Sequence, residues 1–190
     1  MRELSLHLLD IVENSLEAGA TRVLVDVAED TIRNRLTIKV EDNGRGMDQT
    51  TLARALDPFF TTRTTRHVGL GLPLLRAAAQ RCDGDLRIQS RPGHGTTVAA
   101  DFRRDHIDRA PLGDIESTLL ALVLMVGESD IRYTQRRDKK VFALDTAELR
   151  EALGSVPLGH PRVRAWVQQY IQEGLESLSE GALCEADSVV

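Results

Sequence analysis

Leu36-Thr-Ile-Lys-Val-Glu-Asp-Asn-Gly-Arg-Gly46 decides how the first half of the chain is read. Leu36, Ile38 and Val40 alternate with Thr37, Lys39 and Glu41, the period of a strand with one buried face, and Gly44 and Gly46 then break the pattern. A carboxylate, Asp42, thus arrives at a strand end beside two residues without side chains. There a flat ligand can approach closely and have an exocyclic amine accepted. Asp-Asn-Gly is also ordinary turn chemistry, so this stretch alone does not require a ligand.

Upstream, residues 21–27 alternate in the same way (Val23, Val25, Val27), and residues 29–34 read as the turn of a hairpin. Before that, residues 3–18 predict a helix. At about 100° per residue, Leu4, Leu8, Leu9, Ile11, Val12 and Leu16 fall on one side and His7, Asp10, Asn14 and Glu17 on the other, where His7 is expected to be solvated. Gly19 ends that helix. Downstream the reading is a short helix at 49–56, an irregular loop at 57–68, a helix at 71–82 with Pro73 in its first turn, and strands at 86–90 and 96–102 joined by Arg91-Pro-Gly-His-Gly95. The order predicts a mixed sheet with helices on one face over residues 1–104, a two-layer α/β sandwich.

After Arg104 the pattern changes. Residues 114–126 predict an apolar helix, and 131–135 with 141–144 predict a hairpin. Asp145-x-x-Glu148 reads as a capping box, and Pro161 opens an amphipathic helix striped with Val163, Trp166, Val167, Tyr170, Ile171, Leu175 and Leu178. Residues 105–178 are expected to form a small α+β extension, either a domain or a wrap-around segment, and 179–190 a disordered tail.

Composition narrows the function classes. A chain of 190 residues with a formal charge of −5 offers no electrostatic basis for nucleic acid or anionic membranes, so neither is an expected partner. The longest apolar run, residues 119–126, is far short of the roughly 20 residues that span a bilayer. With no signal-peptide core at the amino terminus, the expected location is the cytoplasm. Two cysteines distant in sequence support neither a disulfide scaffold nor structural zinc.

Three further motifs accompany the first. Asp10-Ile-Val-Glu-Asn14 sets a carboxylate and an amide one helical turn apart. An amide oxygen with phosphates and water suits magnesium, and Asp10 is placed to orient or deprotonate an attacking hydroxyl or water. Val68-Gly-Leu-Gly-Leu72 opens a helix, where free amides and the dipole favour phosphate. Neither the Walker nor the Gly-x-Gly-x-x-Gly pattern is present, which excludes a P-loop or Rossmann site. Between them, Asp57-Pro-Phe-Phe-Thr-Thr-Arg63 begins a loop in which phenylalanines could anchor a lid while hydroxyls and Arg63 or Arg66 turn toward a triphosphate.

In order and spacing these motifs resemble the GHKL superfamily: the ATP-binding domains of gyrase-type enzymes, heat-shock chaperones, histidine kinases and MutL. Glu13-Asn-Ser-Leu-Glu-Ala-Gly-Ala20 is most similar to MutL, the Asp57 and Gly69 motifs to sensor histidine kinases. The resemblance implies a Bergerat-type fold, ATP and magnesium as ligands, Asn14 on the metal, and Asp42 on adenine with Gly44, Gly46 and Met47 lining the base and Thr96 assisting. It further implies Phe60, Thr61, Thr62 and Arg66 in the loop, Gly69, Leu70, Gly71 and Leu72 at the phosphates, and Asp10 and Arg63 as catalytic candidates. In ATPase members the residue at position 10 is usually glutamate, in histidine kinases asparagine or histidine; Asp10 has about 1.5 Å less reach than glutamate.

No phosphoacceptor segment precedes the domain in this sequence, so the chain is not expected to be a complete histidine kinase. The whole chain, including His106-Ile-Asp-Arg-Ala-Pro-Leu-Gly-Asp114, also resembles small stand-alone ATP-binding proteins encoded beside iron-hydrogenase subunits, which implies a redox-linked regulatory role. The leading expectation is an ATP-dependent kinase-like module acting on a separate protein. The alternatives are an ATP-gated binding switch or slow ATPase, and ATP-driven homodimerisation.

Overall fold

Alternation in the strands is met by a sheet that buries one face only. The computed structural model describes residues 3–57 and 71–179. Its elements, in order, are α1 (Leu4–Glu17), β1 (Arg22–Asp30), β2 (Arg35–Asp42), α2 (Gln49–Arg54), α3 (Gly71–Gln80), β3 (Asp85–Arg91), β4 (Gly95–Arg103), α4 (Ile115–Met125), β5 (Asp130–Arg137), β6 (Lys140–Asp145), α5 (Thr146–Leu153) and α6 (Pro161–Ser179). The six strands form one sheet in the order β3-β4-β2-β1-β5-β6. All neighbours are antiparallel except β1 and β5, which run parallel with Val23 opposite Ile131.

Val23, Val25, Val27, Leu36, Ile38, Val40, Val98, Ala100, Phe102, Ile131 and Tyr133 point to the buried face. Their neighbours Asp26, Lys39, Glu41 and Arg132 lie on the other, where they remain half-buried or exposed. From α1, Leu4, Leu8, Ile11 and Val12 pack on this core, as do Leu75 and Ala79 of α3 and Leu119, Leu122 and Val123 of α4. This is the two-layer mixed sandwich that the alternation predicts.

Within residues 105–178, two strands join the same sheet. The predicted hairpin is present as β5 and β6, and β5 extends the sheet at β1. The connecting segment also ends α1. That helix has no side-chain cap, and its Leu4 and Ser5 amides instead donate to the Pro111 and Leu112 carbonyls at 3.0 and 2.8 Å. Two of the amino-terminal amides that a helix cannot satisfy internally are thus satisfied from residues beyond β4.

One expectation needs correction. His7 is buried at 4% exposure, because α3 packs against the face of α1 that the helical pattern assigned to solvent. On α6, only Val163, Val167, Ile171 and Leu178 of the stripe are fully buried. Trp166 and Tyr170 stay 50% and 40% exposed and stack on each other, with the Tyr170 hydroxyl donating to the Ala143 carbonyl of β6 at 3.0 Å. Helix α6 packs against both β6 and α4. Ser179 is helical; residues 180–190, read as a tail, lie outside the described residues. Among the described residues no helix is long and apolar enough to cross a membrane.

Candidate functional site

Asp42 is the last residue of β2, facing Thr96 at the start of β4. Its carboxylate is 9% exposed and fully oriented. Oδ1 accepts from the Gly44 amide at 2.9 Å and the Thr96 amide at 3.3 Å, and Oδ2 accepts from the Ser15 hydroxyl of α1 at 3.0 Å. Three donors from three segments fix the orientation of one carboxylate at the end of β2.

The turn after Asp42 depends on glycine. Gly46 has φ +65°, and a Cβ there would run into the Arg91 carbonyl; Gly95 has φ +82°, and a Cβ would run into the carbonyl of Asp42 itself. The β2 turn and the β3–β4 turn therefore interlock at backbone contact distance, and the Gly93 amide donates to the Arg45 carbonyl at 2.7 Å. Ser90 completes the lock. Its Oγ receives the Met47 amide at 2.8 Å, donates to the Gly95 carbonyl at 2.9 Å and lies 2.9 Å from Thr96 Oγ1.

Helix α1 links this end of the site to a second one. Asp10 lies one turn before the exposed Asn14, which immediately precedes Ser15. A Cβ on Gly71 would sit 3.4 Å from Asp10 Oδ2, so the first residue of α3 lies against that carboxylate, with Leu72 half-buried beside it. Pro73 costs nothing in that first turn, where its missing amide has no helical partner to lose. His7 lies on the same side. Burial pushes its imidazole below the ordinary value of 6.5, against the opposing influence of Asp10 and a hydrogen bond to the Gly71 backbone, and among the described residues its Nδ1 has no partner.

The structure therefore brings Asp42, Gly44, Gly46, Met47 and Thr96 together at one end, and Asp10, Gly71 and Leu72 at the other, with Asn14 on the helix between them. Phe60, Thr61, Thr62, Arg63, Arg66, Gly69 and Leu70 lie outside the described residues. Sequence reasoning did not find Ser15, Ser90 or His7. No local signal marks a serine whose partner is 27 or 43 positions away. Among the described residues no group of three or more His, Cys, Asp or Glu side chains could hold a metal.

A cavity of about 360 Å³ lies elsewhere, beyond the carboxyl ends of β1 and β5 and beside the start of α4. In its wall, Glu29 pairs with Arg104 at 2.6 Å and with Arg137 at 3.7 Å.

Comparison with known proteins bears on the first of these regions. Residues 2–106 match the family model described as histidine kinase-, DNA gyrase B-, and HSP90-like ATPase. Among curated proteins, the chain is 41% identical over 108 residues to the sensor protein kinase FleS of Pseudomonas aeruginosa, covering 57% of this chain and 26% of that protein. It is 35% identical over 115 residues to the tetrathionate sensor histidine kinase TtrS of Salmonella typhimurium, covering 58% and 19%. Against the signal transduction histidine-protein kinase AtoS of Escherichia coli it is 35% identical over 91 residues, covering 47% and 15%. The chain thus matches about a quarter or less of these relatives' lengths. Among solved structures, the N-terminal domain of a DNA repair protein superposes with a TM-score of 0.56 at 13% identity, covering 83% of this chain and 59% of that one, a likeness of fold.

Proposed function

The chain belongs to the histidine kinase-, DNA gyrase B-, and HSP90-like ATPase family, and from that premise we propose that it is a cytoplasmic ATP- and magnesium-binding regulator, a kinase-like module that acts on a separate protein in signal transduction. The observation that carries this is the Asp42 carboxylate. It is buried and held by three donors at the end of β2.

In this reading Asp42 accepts the exocyclic amine of adenine, with Gly44, Gly46, Met47 and Thr96 around the ring. The first amides of α3, at Gly71 and Leu72, face the phosphates, where a helix start favours anionic charge. The amide oxygen of Asn14 serves the cation, whose remaining ligands come from phosphate and water. Magnesium, when bound, neutralises phosphate charge. Asp10, against Gly71, orients an acceptor hydroxyl or water. Phe60, Thr61, Thr62, Arg63, Arg66, Gly69 and Leu70 are assigned to the phosphate side and its covering loop.

Incubation with γ-labelled ATP and candidate partner proteins tests the reading. Label should pass to a partner, and it should be lost with Asn14→Ala; transfer unchanged in that variant refutes it. A second reading, an ATP-gated switch with slow or no turnover, is favoured by the shorter reach of Asp10. It predicts nucleotide-dependent partner binding without label on either protein.

A further inference from the structure

Ser90 lies outside the set of residues assigned above to the nucleotide, yet its hydroxyl governs what the site offers to a base. A serine hydroxyl has one hydrogen to donate and two lone pairs with which to accept. All three are engaged. The Gly95 carbonyl, 2.9 Å away, can only accept, so it takes the Ser90 hydrogen. The Met47 amide, 2.8 Å away, can only donate, so it takes one lone pair. Thr96 Oγ1, 2.9 Å away, could play either part in isolation, but only the second lone pair of Ser90 remains. The Thr96 hydroxyl must therefore point its hydrogen at Ser90.

That leaves Thr96 with lone pairs alone for anything entering the site. Its neighbour across the β2–β4 pair is Asp42, a carboxylate that also presents only lone pairs. Two adjacent acceptors, one fixed by Ser15, Gly44 and Thr96 amide donors and the other by Ser90, form an edge that attracts a donor and repels an acceptor. We infer that Ser90 is a specificity-determining positioning residue: it locks the Thr96 hydroxyl as an acceptor so that Thr96 and Asp42 together take the two hydrogens of a 6-amino group, which a 6-oxo purine lacks. This rests on the reading of the site as one for an adenine nucleotide and adds what sets the choice of base.

The test compares ADP with IDP, which differs only at position 6 and N1 of the base, by calorimetry on the full chain. Wild type should favour ADP by about a hundredfold or more, as a site built to pair a substrate group rejects the analogue lacking it. Ser90→Ala frees the Thr96 hydroxyl to rotate and donate, and should lower the ADP:IDP ratio by about tenfold, the scale of one hydrogen bond. Ser90→Thr, which keeps the hydroxyl, should restore the ratio. In a Thr96→Val background Ser90→Ala should leave the ratio unchanged, because the group it acts through is gone.

If wild type binds neither nucleotide, the adenine-site reading falls and this inference with it. If wild type binds ADP but shows no preference over IDP, or Ser90→Ala keeps the ratio, or its effect persists in Thr96→Val, the inference alone is overturned. Should Ser90→Ala not fold, Thr96→Val by itself decides. It should weaken ADP and not weaken IDP, whose 6-oxo group has no hydrogen to give Thr96, and equal loss of both overturns the assignment.

Discussion

Replacing Ser15 by alanine removes one donor from the Asp42 carboxylate and nothing else of size. The hydroxyl sits on α1 with both partners buried, 3.0 Å from Asp42 Oδ2 and 3.1 Å from the Ile11 carbonyl of its own helix. A hydrogen bond to a charged group contributes about 1.5–3 kcal/mol. The single hydrogen is shared with Ile11, so the lower end, about 1.5 kcal/mol, applies to the contact with Asp42. At about 2–4 °C per kcal/mol for a chain of this size, Ser15→Ala should melt about 3–6 °C below wild type without nucleotide.

The same change should weaken ADP. Oδ1 keeps the Gly44 and Thr96 amides, but Oδ2 loses its donor from the protein and the carboxylate is less well aimed at a base. Up to about tenfold in dissociation constant follows if most of that energy is spent on re-aiming. Thermal melts by circular dichroism and titration calorimetry read the two effects. In a cycle with Asp42→Asn the cost of Ser15→Ala should shrink, because the charge it serves is gone. A variant that melts with wild type, binds ADP equally and costs the same in the Asp42→Asn background would refute the assignment of Ser15 as a donor to the site carboxylate.

Two further outcomes are expected. The folded-state pKa of His7 is depressed below 6.5, so as pH falls through that value the unfolded chain takes up a proton that the folded chain refuses. Stability should therefore drop on acidification below about pH 6.5, and urea unfolding at several pH values should show that part of the slope missing in His7→Gln; an unchanged slope contradicts the burial of His7. A chain cut after residue 104 loses the Pro111 and Leu112 carbonyls that cap α1 and bares β1 as a sheet edge, so it should lose cooperative unfolding or associate. Sharp two-state melting of a monomeric fragment would show that residues 105–178 are dispensable for the fold.

Much of the fold was legible because it follows from local periods. Val23, Val25 and Val27, like Leu36, Ile38 and Val40, alternate because the sheet has one covered and one open face, and Asp42 was conspicuous because it ends such a run beside glycines. The parallel pairing of β1 with β5 was not legible, since more than a hundred residues separate Val23 from Ile131 and no turn joins them. His7 was misread for a related reason. A helical wheel assigns faces from one helix alone, and the cover over His7 comes from α3. Ser15 and Ser90 are unremarkable in sequence, and their roles arise only when β2, α1 and the β3–β4 turn converge. On α6, the stripe showed that one face packs, but not that only Val163, Val167, Ile171 and Leu178 would be fully buried while Trp166 and Tyr170 stay half-exposed.

The central claim is that the region between α1, the end of β2 and the start of α3 seats an adenine nucleotide through Asp42. Titration of the purified full chain with ADP and magnesium measures this most directly. The account predicts saturable one-site binding that Asp42→Asn abolishes while the fold persists by circular dichroism. Absence of binding in wild type, or full binding in Asp42→Asn, would contradict it.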